Sequence, residues 1–163
     1  MAKLLPIKIY PCPVLRQKNR NLKTAELQKN EIKQLILNMA ETMKQKDGAG
    51  LAAPQVGQNL RIAAINTEDG VLVLINPKIL IKSWRQEIME EGCLSLPEIF
   101  GLVKRSLKVN VTALDSDGKR IRFKATGMFA RVIQHELDHL DGVLFIDKAR
   151  EITQGGKILE KAR

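Results

Sequence analysis

Hydrophobic residues recur at helical spacing between residues 24 and 46. Thr24 suits the position just before a helix, and the run Asp-Gly-Ala-Gly at 47–50 ends the pattern. Polar residues fill the other positions, so the segment predicts an amphipathic helix that covers a core. Its apolar side carries Leu27, Ile32, Leu35, Ile36, Met39 and Met43. The segment before it, 1–22, contains several prolines and predicts extended, irregular chain.

Short runs of strand-forming residues occupy the middle of the chain. Val109, Val111 and Ala113 alternate with polar neighbours, which is the period of a strand with one buried face. The sequence Asp-Ser-Asp-Gly at 115–118 predicts a turn. The predicted strands are 61–65, 71–75, 78–81, 108–113 and 120–124.

A second helix is predicted over residues 128–140, with Gly142 as its stop. Its apolar stripe consists of Phe129, Val132, Ile133, Leu137 and Leu140. The tail from residue 152 is expected to form a short helix or to fray. Because the strands form a block between two helices, the pattern predicts an α+β fold. No linker or repeat interrupts it, so we expect a single domain over 1–163.

Composition narrows the class of protein. Hydrophobic residues make up 44% of the chain and charged residues 28%, as in ordinary globular domains. We find no apolar run long enough for a membrane span and no secretory signal, so the expected location is the cytoplasm. The net charge of +9 favours polyanionic partners such as a ribosome surface, or simply a solvated surface. No nucleic-acid motif is present, and sequence-specific recognition is not expected.

Both histidines of the chain lie in the sequence HELDH, at 135 and 139. Residues four apart project from the same side of a helix, so both imidazoles can bind one metal ion. Glu136 lies between them, and its carboxylate can take a proton from a metal-bound water. A mixed polar helix surface is the alternative explanation.

The identity of the third metal ligand distinguishes the classes of enzyme that contain HExxH. The position that is histidine in metzincins is Phe145, and Glu160 would have to act in a gluzincin-like peptidase. Cys93 completes a Cys/His/His set, which leaves a fourth position for water. Cys12 competes for this role but is expected to be a free thiol.

The sequence GAGLAAPQ, 48–55, is a third distinctive block. Its glycines allow close backbone approach, and Gln55 can donate a hydrogen bond to an oxyanion. By itself the block predicts a tight turn that enters the strands, and it lacks the lysine of a phosphate-binding loop.

GAGLAAPQ, EGCLS (91–95) and HELDH, in this order, resemble the three motifs of the peptide deformylase family. The segments YPCPVLR (10–16) and HELDHLDGVLFID (135–147) extend the resemblance over nearly the whole chain. The resemblance implies antiparallel β-sheets packed around a central helix that bears HExxH, with an amphipathic helix near the N-terminus. It also implies hydrolysis of the formyl group of N-formylmethionine on newly synthesised polypeptides, which releases formate.

The resemblance implies a role for individual residues. Glu136 would be the general base and then the general acid. The metal ligands would be Cys93, His135 and His139. The oxyanion would be held by Gln55 and the backbone N–H of Leu94. Substrate contacts would come from Ala49, Gly50, Gly92, Met128 and Val132. Glu91 would pair with Arg105 to support the ligands.

The implied cofactor is one divalent metal, with Fe²⁺ favoured and Zn²⁺, Ni²⁺ or Co²⁺ also compatible with these ligands. Ala49 and Arg131 depart from the residues that are commonest at these positions in the family. Because both lie near the expected methionine pocket, they bear on how strictly methionine is selected. The guanidinium of Arg131 is expected to reach outward into water. Two alternatives are a zinc peptidase and an RNA-binding or ribosome-binding module with a structural metal. The basic surface could also dock the enzyme on the ribosome.

Overall fold

Five α-helices and eight strands form along the chain, and the computed structural model describes all residues from 1 to 163. The helices are α1 (Thr24–Leu27), α2 (Asn30–Gln45), α3 (Gly127–Leu140), α4 (Phe145–Lys148) and α5 (Gly156–Ala162). The strands are β1 (Gly50–Ala52), β2 (Ile62–Thr67), β3 (Gly70–Lys82), β4 (Gln86–Cys93), β5 (Leu96–Ser106), β6 (Lys108–Leu114), β7 (Arg120–Thr126) and β8 (Ala149–Gln154). Two 3₁₀ turns, Pro13–Arg16 and Ala53–Val56, complete the set. No helix combines the length and the hydropathy that a membrane crossing requires.

The strands form two antiparallel sheets, and the predicted α+β class is confirmed. One sheet has five strands in the order β1-β2-β3-β6-β7, and the other has three in the order β4-β5-β8. Helix α3 contacts strands of both sheets. It packs on the five-stranded sheet through a buried cluster that includes Ala130, Ile133 and Leu137. The HExxH sequence therefore lies on the helix between the two sheets.

The opposite face of the five-stranded sheet is only partly covered. Helix α2 packs Ile36, Met39 and Met43 against Ile62, Ala64 and Ile75.

The prediction of one helix over 24–46 was wrong in one respect, because the backbone of Lys29 is extended and separates α1 from α2. The residue that precedes α1 is Lys23 rather than Thr24, and its N–H donates to the Glu26 carboxylate at 2.8 Å.

The predicted strands are present, but the structure joins and adds to them. The two runs predicted at 71–75 and 78–81 form one strand, β3, with irregular register between Ile75 and Lys78. Sequence analysis missed β4, β5 and β8, which form the whole three-stranded sheet. The tail that was expected to form a helix or fray contains β8 as well as α5.

A buried cluster of charges ties α3 to the three-stranded sheet. The carboxylate of Glu91, on β4, accepts two hydrogen bonds of 2.9 Å from Arg105 on β5. It also accepts one of 2.7 Å from Arg131 on α3. Arg105 in turn donates to Asp138 on α3 at 2.5 Å.

The expectation that the guanidinium of Arg131 reaches into water was wrong. Arg131 is 5% exposed, and its guanidinium also donates hydrogen bonds to the carbonyls of Val103 and Glu87.

We predict that Glu91→Gln destabilises the fold far more than Glu90→Gln, its neighbour on β4. A neutral amide leaves two buried guanidinium groups short of a counter-charge, and breaking a buried pair costs about 3–5 kcal/mol. Glu90 is exposed and bonds only Thr153. Urea unfolding of both variants with a chelator present measures the difference without a contribution from metal binding. Equal losses in the two variants would contradict the importance of the cluster.

Candidate metal centre and active site

Three potential metal ligands converge where α3 passes the end of β4. His135 and His139 are one helical turn apart, and the centroids of their rings are separated by 5.0 Å. Cys93 is the last residue of β4, just after an irregularity in its pairing with β5. The ligand atoms of the three residues all lie within 4.8 Å of one another.

The spacing of these atoms fits a single metal ion. Tetrahedral coordination with Zn–S and Zn–N bonds near 2.3 and 2.1 Å places the ligand atoms about 3.5 Å apart. The distance from Cys93 Sγ to His139 Nε2 is 3.3 Å. The competing candidates do not join this group: Glu160 is exposed on α5, and the thiol of Cys12 is not among the converging ligand atoms.

His135 is oriented by a carboxylate. Its Nδ1 lies 2.9 Å from Glu91 Oε2, which leaves Nε2 available to a metal. On one side its ring stacks with Phe145, with centroids 6.2 Å apart and planes inclined by 20°. A histidine ligand whose second nitrogen is bonded to a carboxylate is held in one tautomer and one orientation. Glu91 therefore both pairs with the arginines that hold α3 on the sheet and orients a candidate metal ligand.

The electrostatics of the centre favour a cation. Burial by itself lowers the pKa of His135, but hydrogen bonds with Cys93 and Glu91 outweigh it and raise the pKa to about 10. Burial also holds the pKa of His139 well below its ordinary value, and the charge of His135 adds to that effect. The negative groups around the ligand atoms thus attract positive charge, which a divalent metal supplies without protonating a ligand.

Glu136 is a buried carboxylate without a protein partner. It is 4% exposed, its Oε2 is fully enclosed, and it makes no hydrogen bond to the protein. Its side chain lies against Gly50, where a Cβ atom would be 2.5 Å from Oε1. Burial raises the pKa of Glu136 to about 7, so both protonation states are accessible near neutral pH. These are the properties of a group that transfers protons to and from a bound molecule.

Gln55 presents an oriented amide to the same centre. Its Oε1 accepts a 2.9 Å hydrogen bond from the N–H of Ala52. This fixes Nε2 as the inward group, which lies 3.4 Å from Cys93 Sγ and 3.2 Å from Ser95 Oγ. The backbone N–H of Leu94, in the turn between β4 and β5, donates to no protein acceptor. Two N–H donors are therefore available beside the candidate metal ligands.

A cavity of about 520 Å³ opens onto Glu136, His135 and Cys93. Gly50 and Gly92 line it, and they belong to β1 and β4, which are edge strands of the two sheets. Gly92 also has to be small, because a Cβ atom there would be 2.6 Å from Phe100. Further along, the cavity is lined by Ala49, Met128 and Val132. All five residues expected to contact substrate thus line one cavity.

Sequence reasoning did not assign the roles of three polar residues of this region, of which Arg131 and Ser95 are buried and Asp138 is partly buried. Arg131 bonds Glu91, Asp138 bonds Arg105, and Ser95 bonds Gln55. A signal was available for Arg131, because it precedes His135 by one helical turn and so lies on the same side of α3. Its counter-ion comes from β4, which the hydrophobic pattern did not reveal.

Comparisons with known proteins agree with this geometry. Residues 4–155 match the model of the polypeptide deformylase family. The peptide deformylase of Halothermothrix orenii is 48% identical over 153 residues, which cover 93% of this chain and 97% of that protein. The crystal structure of a peptide deformylase from Synechococcus elongatus in complex with actinonin has a TM-score of 0.88 and 40% identity, and covers 99% of this chain and 88% of that one. The class I type b enzyme of Acinetobacter baumannii, solved with Met-Ala-Ser bound, has a TM-score of 0.87 and 34% identity, and covers 91% of this chain and 99% of that one.

Sequence, fold and site therefore lead to one assignment. The chain belongs to the polypeptide deformylase family, the metal-dependent hydrolases that remove the N-formyl group from newly synthesised polypeptides.

Proposed function

We propose that Cys93, His135 and His139 bind the divalent metal of this deformylase and that Glu136 transfers the protons of the reaction. The observation that carries this proposal is the partnerless, buried carboxylate of Glu136 beside the three ligand atoms. A metal bound there would lower the pKa of a water molecule and polarise the formyl oxygen. One catalytic domain over residues 1–163 supplies all of these groups.

The favoured metal is Fe²⁺, with Zn²⁺, Ni²⁺ or Co²⁺ as alternatives. One thiolate and two imidazoles are compatible with each of these ions. The preference for iron rests on the resemblance to bacterial members of the family.

Glu136 acts first as a base and then as an acid. Its carboxylate accepts a proton from the water that attacks the formyl carbon. It then gives that proton to the amide nitrogen as the C–N bond breaks, so the products are formate and a peptide with a free amino terminus. A pKa raised to about 7 suits both transfers at neutral pH.

The developing negative charge on the formyl oxygen is held by Gln55 Nε2 and the N–H of Leu94. Ala52 supports this role because its N–H fixes the amide of Gln55 in one orientation. A donor that is already oriented needs no rearrangement during the reaction.

The peptide that carries the formyl group binds as an extended strand. Its backbone lies between the free edges of β1 and β4, at Ala49, Gly50 and Gly92. Edge strands offer unpaired backbone groups to such a peptide. The methionine side chain enters the part of the cavity at Met128 and Val132, and Glu91 with Arg105 holds His135 in place. The Acinetobacter baumannii enzyme was solved with Met-Ala-Ser bound, which supports the binding of a peptide that begins with methionine.

The partners are nascent N-formylmethionyl peptides, and the location that suits them is the cytoplasm. We further propose that the basic surface docks the enzyme on the ribosome. The net charge of +9 supports electrostatic attraction to an RNA-rich particle.

Glu136→Gln is expected to retain metal and to lower the rate of formate release by about 10²–10⁴-fold, because the amide cannot accept the proton. Formate release from a formyl-methionyl peptide is measured on anaerobically iron-loaded protein, alongside metal analysis. Glu41→Gln, on α2, is the matched control and should have the native rate. A fully active, metal-loaded Glu136→Gln variant would contradict the assignment of Glu136 as the group that transfers protons.

Gln55→Ala is expected to lower kcat by about 10²–10³-fold, because one oxyanion donor is lost. Gln58→Ala removes an exposed glutamine from the same segment and should leave kcat unchanged. Steady-state kinetics with one formyl-methionyl peptide compare the two variants. If only KM changed in Gln55→Ala, Gln55 would bind the ground state rather than the oxyanion.

Ala49→Leu is expected to narrow the range of side chains accepted. A second cavity, of about 1010 Å³, is also lined by Ala49, Met128 and Val132, so the methionine pocket continues past the small Ala49 side chain. A leucine would obstruct this continuation, and overpacking costs about 1–3 kcal/mol. We expect kcat/KM to fall at least tenfold for a formylated 2-aminodecanoyl peptide and to change little for formyl-methionine. Equal effects on both substrates would show that Ala49 does not set side-chain length.

A further inference from the structure

One half of the five-stranded sheet exposes a surface without negative charge. Strands β3, β6 and β7 contain several lysines and arginines but no aspartate or glutamate. Cross-strand pairing places these cations in rows, because Lys78 pairs with Thr112 and Thr112 pairs with Arg122. In the same way Asn110 pairs with Lys124. We call this surface the basic sheet face; its cations are Lys78, Lys108, Arg120, Arg122 and Lys124.

The basic sheet face is open and its cations are free. It lies on the side of the sheet that α2 covers only over β1, β2 and part of β3. All five of its cationic residues are exposed, and none of them forms a salt bridge. Acidic groups flank the face at two turns. In the turn after β6 the Asp115 carboxylate accepts the N–H groups of Asp117 and Lys119, and Glu68 and Asp69 precede β3 and line a cavity together with Lys124. Along β7, alternate residues are about 6.8 Å apart, so the cations form a regular line.

An exposed tryptophan stands at one end of this face. Trp84 is the only tryptophan of the chain and is 93% exposed. It follows Ser83, which is tied to Lys108 by hydrogen bonds in both directions, of 2.9 Å and 3.1 Å. An aromatic ring beside rows of cations is the combination by which single-stranded nucleic acid is bound, through phosphate contacts and base stacking. A ring so fully exposed buries little surface within the protein, so packing does not explain it.

We propose that the basic sheet face, together with Trp84, binds single-stranded RNA without sequence preference. Phosphates lie along the rows of cations, and an unpaired base stacks on Trp84. The proposal deepens the ribosome docking proposed above by naming the surface and the ligand. The established activity also places its substrate on an RNA-rich particle. Because the face is on the side of the sheet opposite α3, bound RNA leaves the catalytic cavity open.

The test uses iron-loaded enzyme and a fluorescently labelled oligouridylate of twelve nucleotides, with anisotropy and Trp84 fluorescence as readouts. The face variant is Lys78→Gln/Arg120→Gln/Arg122→Gln. The control, Lys33→Gln/Lys44→Gln/Lys46→Gln, loses the same charge from exposed, unpaired positions at and just after α2. We expect the face variant to bind at least about tenfold more weakly and its salt slope, d log K/d log[salt], to be smaller in magnitude by about 2. The control should bind like the native enzyme.

Two further measurements complete the test. Trp84→Phe, which keeps a smaller aromatic ring, should bind more tightly than Trp84→Ala, and RNA should quench the fluorescence of Trp84 in the native enzyme. Equal weakening of the face and control variants, absence of binding, or Trp84 quenching by phosphatidylglycerol vesicles without RNA binding would each overturn the proposal. Formate release is measured on the same preparations and should be native in the face variant. Loss of formate release in every preparation would count against the proposed catalytic roles and leave the RNA result standing.

Discussion

A carboxylate that is 6% exposed can remain ionised only among cations, and Glu91 has Arg105, Arg131 and His135 around it. Burial by itself raises the pKa of Glu91, but the hydrogen bonds with Arg105 and His135 outweigh it and hold the pKa well below its usual range. The four groups come from β4, β5 and α3, so one ionised side chain fixes the position of the helix on the three-stranded sheet. It also fixes the ring of a candidate metal ligand. The hydrogen bonds of Glu91 therefore hold α3 on the three-stranded sheet and orient the ring of His135 at the same time.

This arrangement explains why α3 is so polar inside. Arg131, Gln134, Glu136 and His139 are all buried. Gln134 exchanges two hydrogen bonds with the backbone of Ser106, and the helix ends with carbonyls that Asn19 and Arg61 satisfy. Only Glu136 keeps a buried oxygen free on the cavity side. Apart from Nδ1 of His139, the other buried polar side chains of α3 are occupied, so the free carboxylate is available for chemistry rather than for holding the fold together.

Sequence analysis predicted α3, α2, four of the five strands of the five-stranded sheet and the three motifs that meet at the cavity; β1 was expected to be part of a tight turn. These elements have regular hydrophobic periods or distinctive residue sets. The three-stranded sheet was not predicted, because β4 reads QEIMEEGC and β8 reads AREITQ, in which charged residues are mixed with few apolar ones. The long-range cluster around Glu91 holds β4, and both strands contact α4. Arg131 was misjudged for the same reason: its counter-ion is 40 residues away in sequence.

The two faces of the five-stranded sheet differ in what covers them. On the α3 side, small residues such as Ala63, Ala113 and Ala125 are buried and leave room for the helix that carries the candidate ligands. On the other side, α2 covers one half of the sheet and leaves the basic half in solvent. Charges on that half are screened by solvent and by the sheet, so they change the potential at Glu136 little. The proposed RNA binding on that half would therefore hold the enzyme near nascent chains and leave the proton transfers proposed for Glu136 unchanged.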